Sequence, residues 1–222
     1  MATYVLVPGG GWGGFIWRPV TSLLRAAGHE VFTPTLTGLG ERAHRASPTI
    51  NLATHVQDIV GVLAYEDLSA VILVGHSDAG MVITGVAEQV PDRLAHLVYV
   101  DAVVPQDGEA DVDRLDADFV QEMAALARTE GEGWRLPPGP GAPPKMTAHP
   151  WKPMLQPLTV ANPVAAELPR TFIYCTGSAF ASIGRAAARA RGAGWRYRAL
   201  PTEHLAMVTM PREVTDLLLE VV

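Results

Sequence analysis

Gly75-His76-Ser77-Asp78-Ala79-Gly80 forms a corner between two kinds of sequence pattern in this chain. It directly follows the apolar run Ala70–Val74 and directly precedes a helix-like pattern. A serine at such a corner sits in a strained turn between a strand and a helix, with its hydroxyl exposed. Small residues must flank it, because the two backbones nearly touch there. Gly75 and Ala79 meet that need, although the motif G-x-S-x-G, which marks such a serine, usually has glycine where Ala79 stands. The context favours Ser77 as a nucleophile over the alternative, an ordinary serine that caps a helix.

Outward from this corner, short apolar runs alternate with helical periodicities, which predict strands and helices in turn. Gly28 fits the end of one helix, and Pro211 fits the first turn of another. The predicted strands are Tyr4–Val7, Glu30–Thr33, Ala70–Val74, Leu94–Val100, Thr171–Cys175 and Trp195–Leu200. The predicted helices cover residues 20–27, 52–63, 82–90, 119–128, 181–191 and 214–221. Strands separated by helices imply an α/β fold, with a mostly parallel sheet covered by helices on both faces.

The region from about residue 105 to residue 168 interrupts this alternation. It opens with the acidic stretch Asp107–Asp118, and it later contains Leu136–Pro144, whose prolines and glycines are incompatible with regular structure. We interpret the chain as a single domain, residues 1–222, with a cap insertion at about 105–168 that covers Ser77. A disordered surface loop is the alternative. The region's large apolar side chains favour a packed cap, and they are Trp134, Met146, Trp151, Met154 and Leu155.

The composition is typical of a globular protein with a sizeable core, since 48% of the residues are apolar and 18% are charged. A formal net charge of −6 gives no indication of nucleic-acid or anionic-membrane binding. Met1–Val7 is typical of a strand rather than a signal peptide, and no apolar run approaches a membrane span. The single cysteine, Cys175, rules out an internal disulfide and is compatible with a cytoplasmic location.

His204 is the candidate general base for Ser77, whose hydroxyl needs a base within hydrogen-bond reach. It follows the last predicted strand, which places it at the same carboxyl edge of the sheet as Ser77. A surface or core histidine is the alternative, since the chain has seven histidines. His76 adjoins Ser77 but points elsewhere, because the corner exposes only the serine. We interpret His76 as a packing or hydrogen-bonding residue.

The glycine-rich loop Pro8–Gly14 follows the first predicted strand. Such a loop can cradle a phosphate, but this one lacks the lysine of a P-loop and matches G-x-G-x-x-G poorly. With a nucleophilic serine downstream, an oxyanion hole is the better interpretation. The predicted donors are the backbone N–H groups of Gly10 and Asp78, which would stabilise the charge that develops on a substrate carbonyl oxygen.

Taken together, these segments resemble the α/β-hydrolase branch that holds plant methylesterases, hydroxynitrile lyases and their bacterial esterase relatives. The resemblance covers nearly the whole chain except the cap, and Thr35–Arg42 (TLTGLGER) is quite specific to the branch. The matching segments are residues 4–14, 27–31, 34–42, 74–77, 80–83, 96–102 and 204–207. Lyases of this branch carry a threonine after strand one and a lysine after the catalytic histidine. Gly9 and Leu205 stand at those positions here, so the resemblance implies an esterase rather than a lyase.

The chain departs from the family's pattern at the catalytic acid. The resemblance places that acid in the loop Thr176–Ser182, which contains no carboxylate. Asp101, at the end of the strand that follows the nucleophile helix, is the best substitute. The alternative for Asp101 is a residue that anchors a loop by accepting backbone N–H groups. Glu203 and Ser178 are weaker candidates for contact with the imidazole.

A second departure is Asp78, where relatives usually have an uncharged residue. A carboxylate beside an oxyanion hole disfavours negative charge, so Asp78→Leu or Asp78→Tyr is expected to raise ester hydrolysis. Ala79 in place of glycine is a milder change.

The expected function is hydrolysis of a carboxylic ester of a small, largely apolar substrate through an acyl-enzyme. The alternatives are a non-hydrolytic reaction in the same pocket, such as C–C bond cleavage or a biosynthetic rearrangement, and a binding protein with little turnover. No metal or organic cofactor is implied. The expected partner is a small-molecule substrate rather than nucleic acid or membrane, and a homodimer is left open. The candidate pocket walls are Trp12, Phe15, Trp151, Met154, Leu155 and Phe180.

Overall fold

The computed structural model describes all 222 residues, Met1 to Val222. Its strands are β1 Thr3–Val7, β2 Glu30–Phe32, β3 Val71–His76, β4 Leu94–Val100, β5 Arg135–Leu136, β6 His149–Pro150, β7 Arg170–Cys175 and β8 Arg196–Leu200. Six of them form one sheet in the order β2-β1-β3-β4-β7-β8, and every pairing in it is parallel. The remaining two, β5 and β6, form a small antiparallel pair.

Helices cover both faces of the main sheet. They are α1 Arg18–Ala26, α2 Leu52–Tyr65, α3 Ala79–Gln89, α4 Ala117–Thr129, α5 Lys152–Leu155, α6 Pro163–Glu167, α7 Ala181–Gly192, α8 Ala206–Thr209 and α9 Pro211–Leu219. One buried cluster joins the sheet to α2, α3 and α7, and a second joins it to α1, α8 and α9. Successive residues of β1 alternate between the two clusters, because side chains of a strand alternate between faces. The predicted α/β fold with a mostly parallel sheet is therefore confirmed.

The strand order places a crevice at the carboxyl edge of the sheet. The chain runs outward from β1 to β2, then returns to β3 on the other side of β1 and continues outward to β8. Loops after β1 and β3 thus leave the sheet on opposite faces, and ligands of such sheets bind between them. The glycine-rich loop after β1 and the Ser77 corner after β3 both lie at this point.

The segment from Asp101 to Pro169, which we call the cap segment, connects β4 to β7 and contains α4, β5, β6, α5 and α6. A third apolar cluster holds it together, formed by Ala127, Leu136 and Trp151 with Met123 and Met154 against them. The expectation of irregular structure for Leu136–Pro144 is wrong at its first residue, because Leu136 pairs with His149 across the β5–β6 ladder. None of the nine helices combines the length and hydropathy that a bilayer crossing requires.

A pair of glycine substitutions tests the close packing behind the Ser77 corner. A Cβ added at Gly80 in α3 would lie 1.9 Å from the Val103 carbonyl oxygen, whereas one at Gly61 in α2 would meet nothing within 4 Å. We expect Gly80→Ala to lower the free energy of unfolding by about 3 kcal/mol. Gly61→Ala should raise it by about 0.5–1 kcal/mol, since alanine favours a helix over glycine. Urea denaturation measures both values, and equal effects would contradict the described approach of α3 to the cap segment.

Candidate active site

Ser77 lies in a strained backbone conformation at the end of β3. Its φ is +59°, in the left-handed region that non-glycine residues rarely adopt. Its carbonyl oxygen accepts hydrogen bonds from the N–H groups of Gly80 and Val103, at 3.1 Å and 3.0 Å. Gly9 packs directly behind it, since a Cβ there would stand 2.7 Å from the Ser77 Cβ. This packing holds the turn in place and leaves no room for a threonine side chain at position 9.

The side chains of Ser77, His204 and Asp101 form a continuous hydrogen-bonded chain. The Ser77 Oγ lies 3.0 Å from the His204 Nε2, although the two residues are 127 positions apart. The His204 Nδ1 lies 2.6 Å from the Asp101 Oδ2. The structure thus brings together the three residues predicted as catalytic, in the order nucleophile, base and acid.

Asp101 combines the two roles that its sequence context left open. It is fully buried, and its φ of +44° turns the chain sharply at the end of β4. Its Oδ1 accepts a hydrogen bond from the Cys175 N–H at 3.0 Å, so it anchors β7 as well as facing His204 through Oδ2. Cys175 is itself fully buried, and burial raises the pKa of its thiol to about 12.

The two weaker candidates for contact with the imidazole do not reach it. Glu203 has an exposed side chain and makes no bond to its neighbour His204. The Ser178 hydroxyl is buried without any hydrogen-bond partner. Asp101, at the end of β4, is instead the residue whose carboxylate bonds the His204 Nδ1.

His76 supports the backbone of His204. Its Nε2 lies 3.0 Å from the His204 carbonyl oxygen, and the two rings are 4.4 Å apart. Burial, followed by the charge of His204, holds the pKa of His76 well below 6.5. A neutral ring with a protonated Nε2 can donate to that carbonyl. Phe180 also packs edge-on against His204, with ring centroids 4.7 Å apart.

The structure alters the predicted oxyanion hole. The Gly10 N–H does not face open space but donates to the Asp78 Oδ1 at 2.5 Å. Burial raises the pKa of Asp78 to about 6, against the opposing effects of the backbone N–H groups and of His204. A substrate carbonyl oxygen must therefore displace the Asp78 carboxyl group before it can use the Gly10 donor.

A cavity of about 570 Å³ opens above Ser77 and His204, between the sheet edge and the cap segment. Three of the six predicted wall residues line it, namely Trp12, Met154 and Phe180. Its other large apolar wall residues are Leu115, Phe119, Met123, Leu126, Leu136, Met146 and Ile183. An apolar cavity with a few convergent polar groups is typical of a small-molecule site.

The other three predicted wall residues do not line the cavity. Phe15 packs edge-on against Trp12, beneath the Lys145 ammonium group, and does not reach the cavity. Trp151 is buried inside the apolar cluster of the cap segment. Leu155 is 44% exposed and faces solvent. Leu155 directly follows the lining residue Met154 in the sequence, but its own side chain turns away.

Sequence reasoning missed the contribution of α4. Phe119, Met123 and Leu126 line the cavity from this helix. They recur at positions i, i+4 and i+7, which is the spacing of one helical face. That signal was present in the predicted helix 119–128.

It also missed two polar residues that line the cavity close to Asp78. Asp111 begins a short 3₁₀ helix, Asp111–Arg114, and His149 begins β6. Burial, followed by repulsion from Asp78, raises the pKa of Asp111 to about 7, while burial lowers the pKa of His149 to about 4. No local sequence pattern marks either residue, because the fold alone brings them together.

The raised pKa of Asp111 predicts a pH-dependent gain from Asp111→Asn. Between about pH 4 and pH 7 the unfolded carboxyl group loses its proton while the folded one retains it, so wild-type stability falls as pH rises through this window. The neighbouring charged groups are Asp78, which strengthens the shift, and Arg114, which weakens it. We expect Asp111→Asn to raise the free energy of unfolding by about 1–3 kcal/mol relative to the wild type at pH 8, and to change it little at pH 4. Urea denaturation at both pH values measures this, and a gain at pH 4 alone would contradict the burial of this charge.

Comparisons with known proteins agree with this architecture. The sequence profile of the Alpha/beta hydrolase family matches residues 4–217. A curated relative from Nocardioides sp. (strain SG-4G), a carbendazim hydrolyzing esterase, is 46% identical over 125 residues, which cover 56% of this chain and 52% of the relative. Polyneuridine aldehyde esterase from Rauvolfia serpentina is 24% identical over 98% of this chain and 94% of its own.

Among solved structures, an extracellular alpha/beta-hydrolase from a Paenibacillus species superposes with a TM-score of 0.87. It is 23% identical and covers 100% of this chain and 99% of its own. The first curated relative is matched over only about half of its length. Because the family profile extends from β1 to α9, the chain belongs to the alpha/beta hydrolase family.

Proposed function

We propose that the protein is a serine esterase that cleaves carboxylic esters of small, largely apolar molecules through an acyl-enzyme. The observation that carries this proposal is the hydrogen-bonded chain Ser77–His204–Asp101 at the floor of an apolar cavity. The names of the relatives, a carbendazim hydrolyzing esterase and an aldehyde esterase, support ester cleavage as the reaction class. The single buried cysteine also fits the cytoplasmic location that we propose.

In the first half of the reaction, the Ser77 Oγ attacks the ester carbonyl while the His204 Nε2 takes the hydroxyl proton. Asp101 holds the proton of Nδ1 and so keeps Nε2 free to act as the base. The carbonyl oxygen gains negative charge, which the N–H groups of Gly10 and Asp78 would stabilise once the Asp78 carboxyl group has moved off Gly10. His204 then delivers its proton to the departing alkoxide.

In the second half, water attacks the acyl-Ser77 ester, and His204 again acts first as base and then as acid. The strained turn at Ser77 presents the ester to the cavity rather than to the core. The cap segment excludes bulk water from one side of the site, which strengthens the electrostatic interactions within it.

A rapid-mixing experiment with 4-nitrophenyl butanoate tests this proposal. We expect a butanoyl adduct on the peptide that contains Ser77, together with labelling of the same peptide by a fluorophosphonate. The absence of both modifications in folded protein would refute an activated serine and would favour a binding protein.

A non-hydrolytic reaction is the second candidate, and one observation favours it. The Asp78 carboxyl group, with its pKa raised to about 6, lies on the N–H that an ester carbonyl oxygen would use. A carboxyl group in that position can exchange a proton with a substrate near neutral pH. Fluorophosphonate labelling of Ser77 without turnover of any carboxylic ester would support this candidate over the esterase.

A further inference from the structure

The polar end of the cavity is built by three residues from separate parts of the fold. Asp78 follows Ser77, Asp111 lies in the cap segment after β4, and His149 lies in β6. The Asp78 Oδ2 is 3.5 Å from the His149 Nε2. We call these three residues the acid subsite. Apart from the catalytic residues and this group, the cavity wall is mainly apolar.

The acid subsite contains buried polar atoms that the protein itself does not satisfy. The Asp111 Oδ1 and both ring nitrogens of His149 are buried without a hydrogen-bond partner. Both residues are more than nine-tenths buried and line the cavity. Buried polar groups without partners are rare in native proteins, so this end of the cavity is shaped to bond a polar group of a ligand.

Several other carboxylates of this chain are bonded by the protein itself. Asp58 accepts from the Thr37 N–H and hydroxyl and from Arg42. Asp101 accepts from Cys175 and faces His204, and Asp113 accepts from the Ala110 N–H. Asp111 differs from them because its buried Oδ1 has no hydrogen-bond partner.

The hydrogen-bond donors and acceptors of the acid subsite indicate what kind of ligand group fits there. A neutral imidazole has one N–H donor, whereas two carboxyl groups offer four oxygens. His149 stays neutral, because burial lowers its pKa to about 4. The Gly10 N–H bonds only the Asp78 Oδ1, and one imidazole N–H cannot serve the remaining oxygens of both acids, so a ligand group that donates a hydrogen bond fits this end of the cavity.

The position of Asp78 fixes where that donor lies relative to the reacting carbonyl group. Asp78 Oδ1 now holds the Gly10 N–H at 2.5 Å, which is the N–H that the proposed reaction gives to the carbonyl oxygen. A carbonyl oxygen bound to Gly10 therefore has the Asp78 carboxyl group as its immediate neighbour. Two such oxygens repel each other unless a proton lies between them. An O–H or N–H on the β-carbon of an acyl group sits beside the carbonyl oxygen and supplies that proton.

We propose that Asp78, Asp111 and His149 bind an O–H or N–H group on the β-carbon of the substrate's acyl part, which makes the protein selective for esters of β-hydroxy or β-amino acids. This inference rests on the esterase function proposed above. The group donates a hydrogen bond to the Asp78 carboxyl group and draws Asp78 off the Gly10 N–H, while Asp111 and His149 contact its other hydrogen-bonding positions. An acyl group without the donor leaves Asp78 on Gly10 and lacks the full oxyanion hole.

Three 4-nitrophenyl esters of similar size test the subsite. They are the 3-hydroxypropanoate, which carries the donor, the butanoate, which has a methyl group there, and the 3-methoxypropanoate, which only accepts. We expect the hydroxy ester to exceed both others in kcat/KM by at least about tenfold, since a site built around a hydrogen bond rejects analogues without it. Equal kcat/KM for the three esters would overturn the subsite while leaving the esterase function intact.

Variants assign the effect to residues. Asp111→Leu should bring the ratio of hydroxy ester to butanoate down to about 1, and the exposed Asp118→Leu in α4 serves as the matched control that keeps the wild-type ratio. Asp78→Leu should affect the two esters in opposite directions. It should raise kcat/KM for the butanoate, because the Gly10 N–H becomes free, and lower kcat/KM for the hydroxy ester. A wild-type ratio in Asp111→Leu would refute the role of Asp111. Should that variant unfold, Asp111→Ala, which removes both carboxyl oxygens and leaves a smaller side chain, provides the same comparison.

A binding experiment tests the acid subsite without relying on ester hydrolysis. The ketones 4-hydroxybutan-2-one and pentan-2-one match in shape and differ only in the donor, and their Kd values for Ser77→Ala are measured by NMR titration. At least about tenfold tighter binding of the hydroxy ketone supports the subsite, and equal Kd values overturn it. Loss of ester turnover in the wild type would instead count against the proposed function.

Discussion

Ser77→Ala is expected to lower kcat for 4-nitrophenyl butanoate by about 10⁴-fold or more and to abolish fluorophosphonate labelling. Alanine removes the Oγ that lies 3.0 Å from the His204 Nε2, so no acyl-enzyme can form. The backbone strain remains, because alanine must adopt the same φ of +59°. Stability should therefore change little, which circular dichroism and urea denaturation can verify.

The control for Ser77→Ala is Ser178→Ala. Ser178 also has a buried hydroxyl, but that hydroxyl has no hydrogen-bond partner and does not face the imidazole. We expect Ser178→Ala to retain turnover within about threefold. If Ser77→Ala kept more than a tenth of the wild-type kcat in folded protein, the nucleophile would have to be another group.

Asp101→Asn is expected to lower kcat by about 10³–10⁴-fold with a much smaller loss of stability. The Asn side chain can still accept the Cys175 N–H through its oxygen, so the support of β7 persists. Its NH₂ group would then face the His204 Nδ1 and donate to it. The imidazole proton would move to Nε2, which could no longer accept the Ser77 proton.

The measurement for Asp101→Asn pairs steady-state kinetics with urea denaturation, so that catalysis and folding are separated. Glu203→Gln provides the matched control, because Glu203 adjoins His204 in the sequence while its carboxylate is exposed. We expect Glu203→Gln to act like the wild type. A less than tenfold loss in Asp101→Asn would move the role of the acid to another residue.

The fold was predictable because its signals are local. Each strand of the main sheet is a short run of mostly apolar residues, and α3 follows Ser77 as its apolar spacing predicts. Ser77 and His204 could be recognised because each follows a strand, and all parallel strands end at the same edge of a sheet. For Asp101 the sequence left two roles open, because only the orientation of its side chain distinguishes a loop anchor from a catalytic acid. The structure shows it in contact with both Cys175 and His204.

Side-chain direction limited the prediction of the pocket. Within the neighbouring pair Met154 and Leu155, only Met154 lines the cavity, and sequence adjacency cannot tell the two apart. The carboxylate of Asp78 was expected near the oxyanion hole, but its hydrogen bond to Gly10 depends on the side-chain conformation. Asp111 and His149 meet Asp78 only because the cap segment folds back over the sheet, which is a long-range event without a local signature.

Cys175 gives the protein an internal reporter of sheet opening. The thiolate of cysteine is the nucleophile that attacks an alkylating reagent, and this sulfur is both shielded from solvent and held protonated by a pKa raised to about 12. Iodoacetamide can modify it only after β7 detaches, and no second cysteine in the chain competes for the reagent. The rate of alkylation under native conditions therefore measures how often the strand that anchors Asp101 separates from its neighbours.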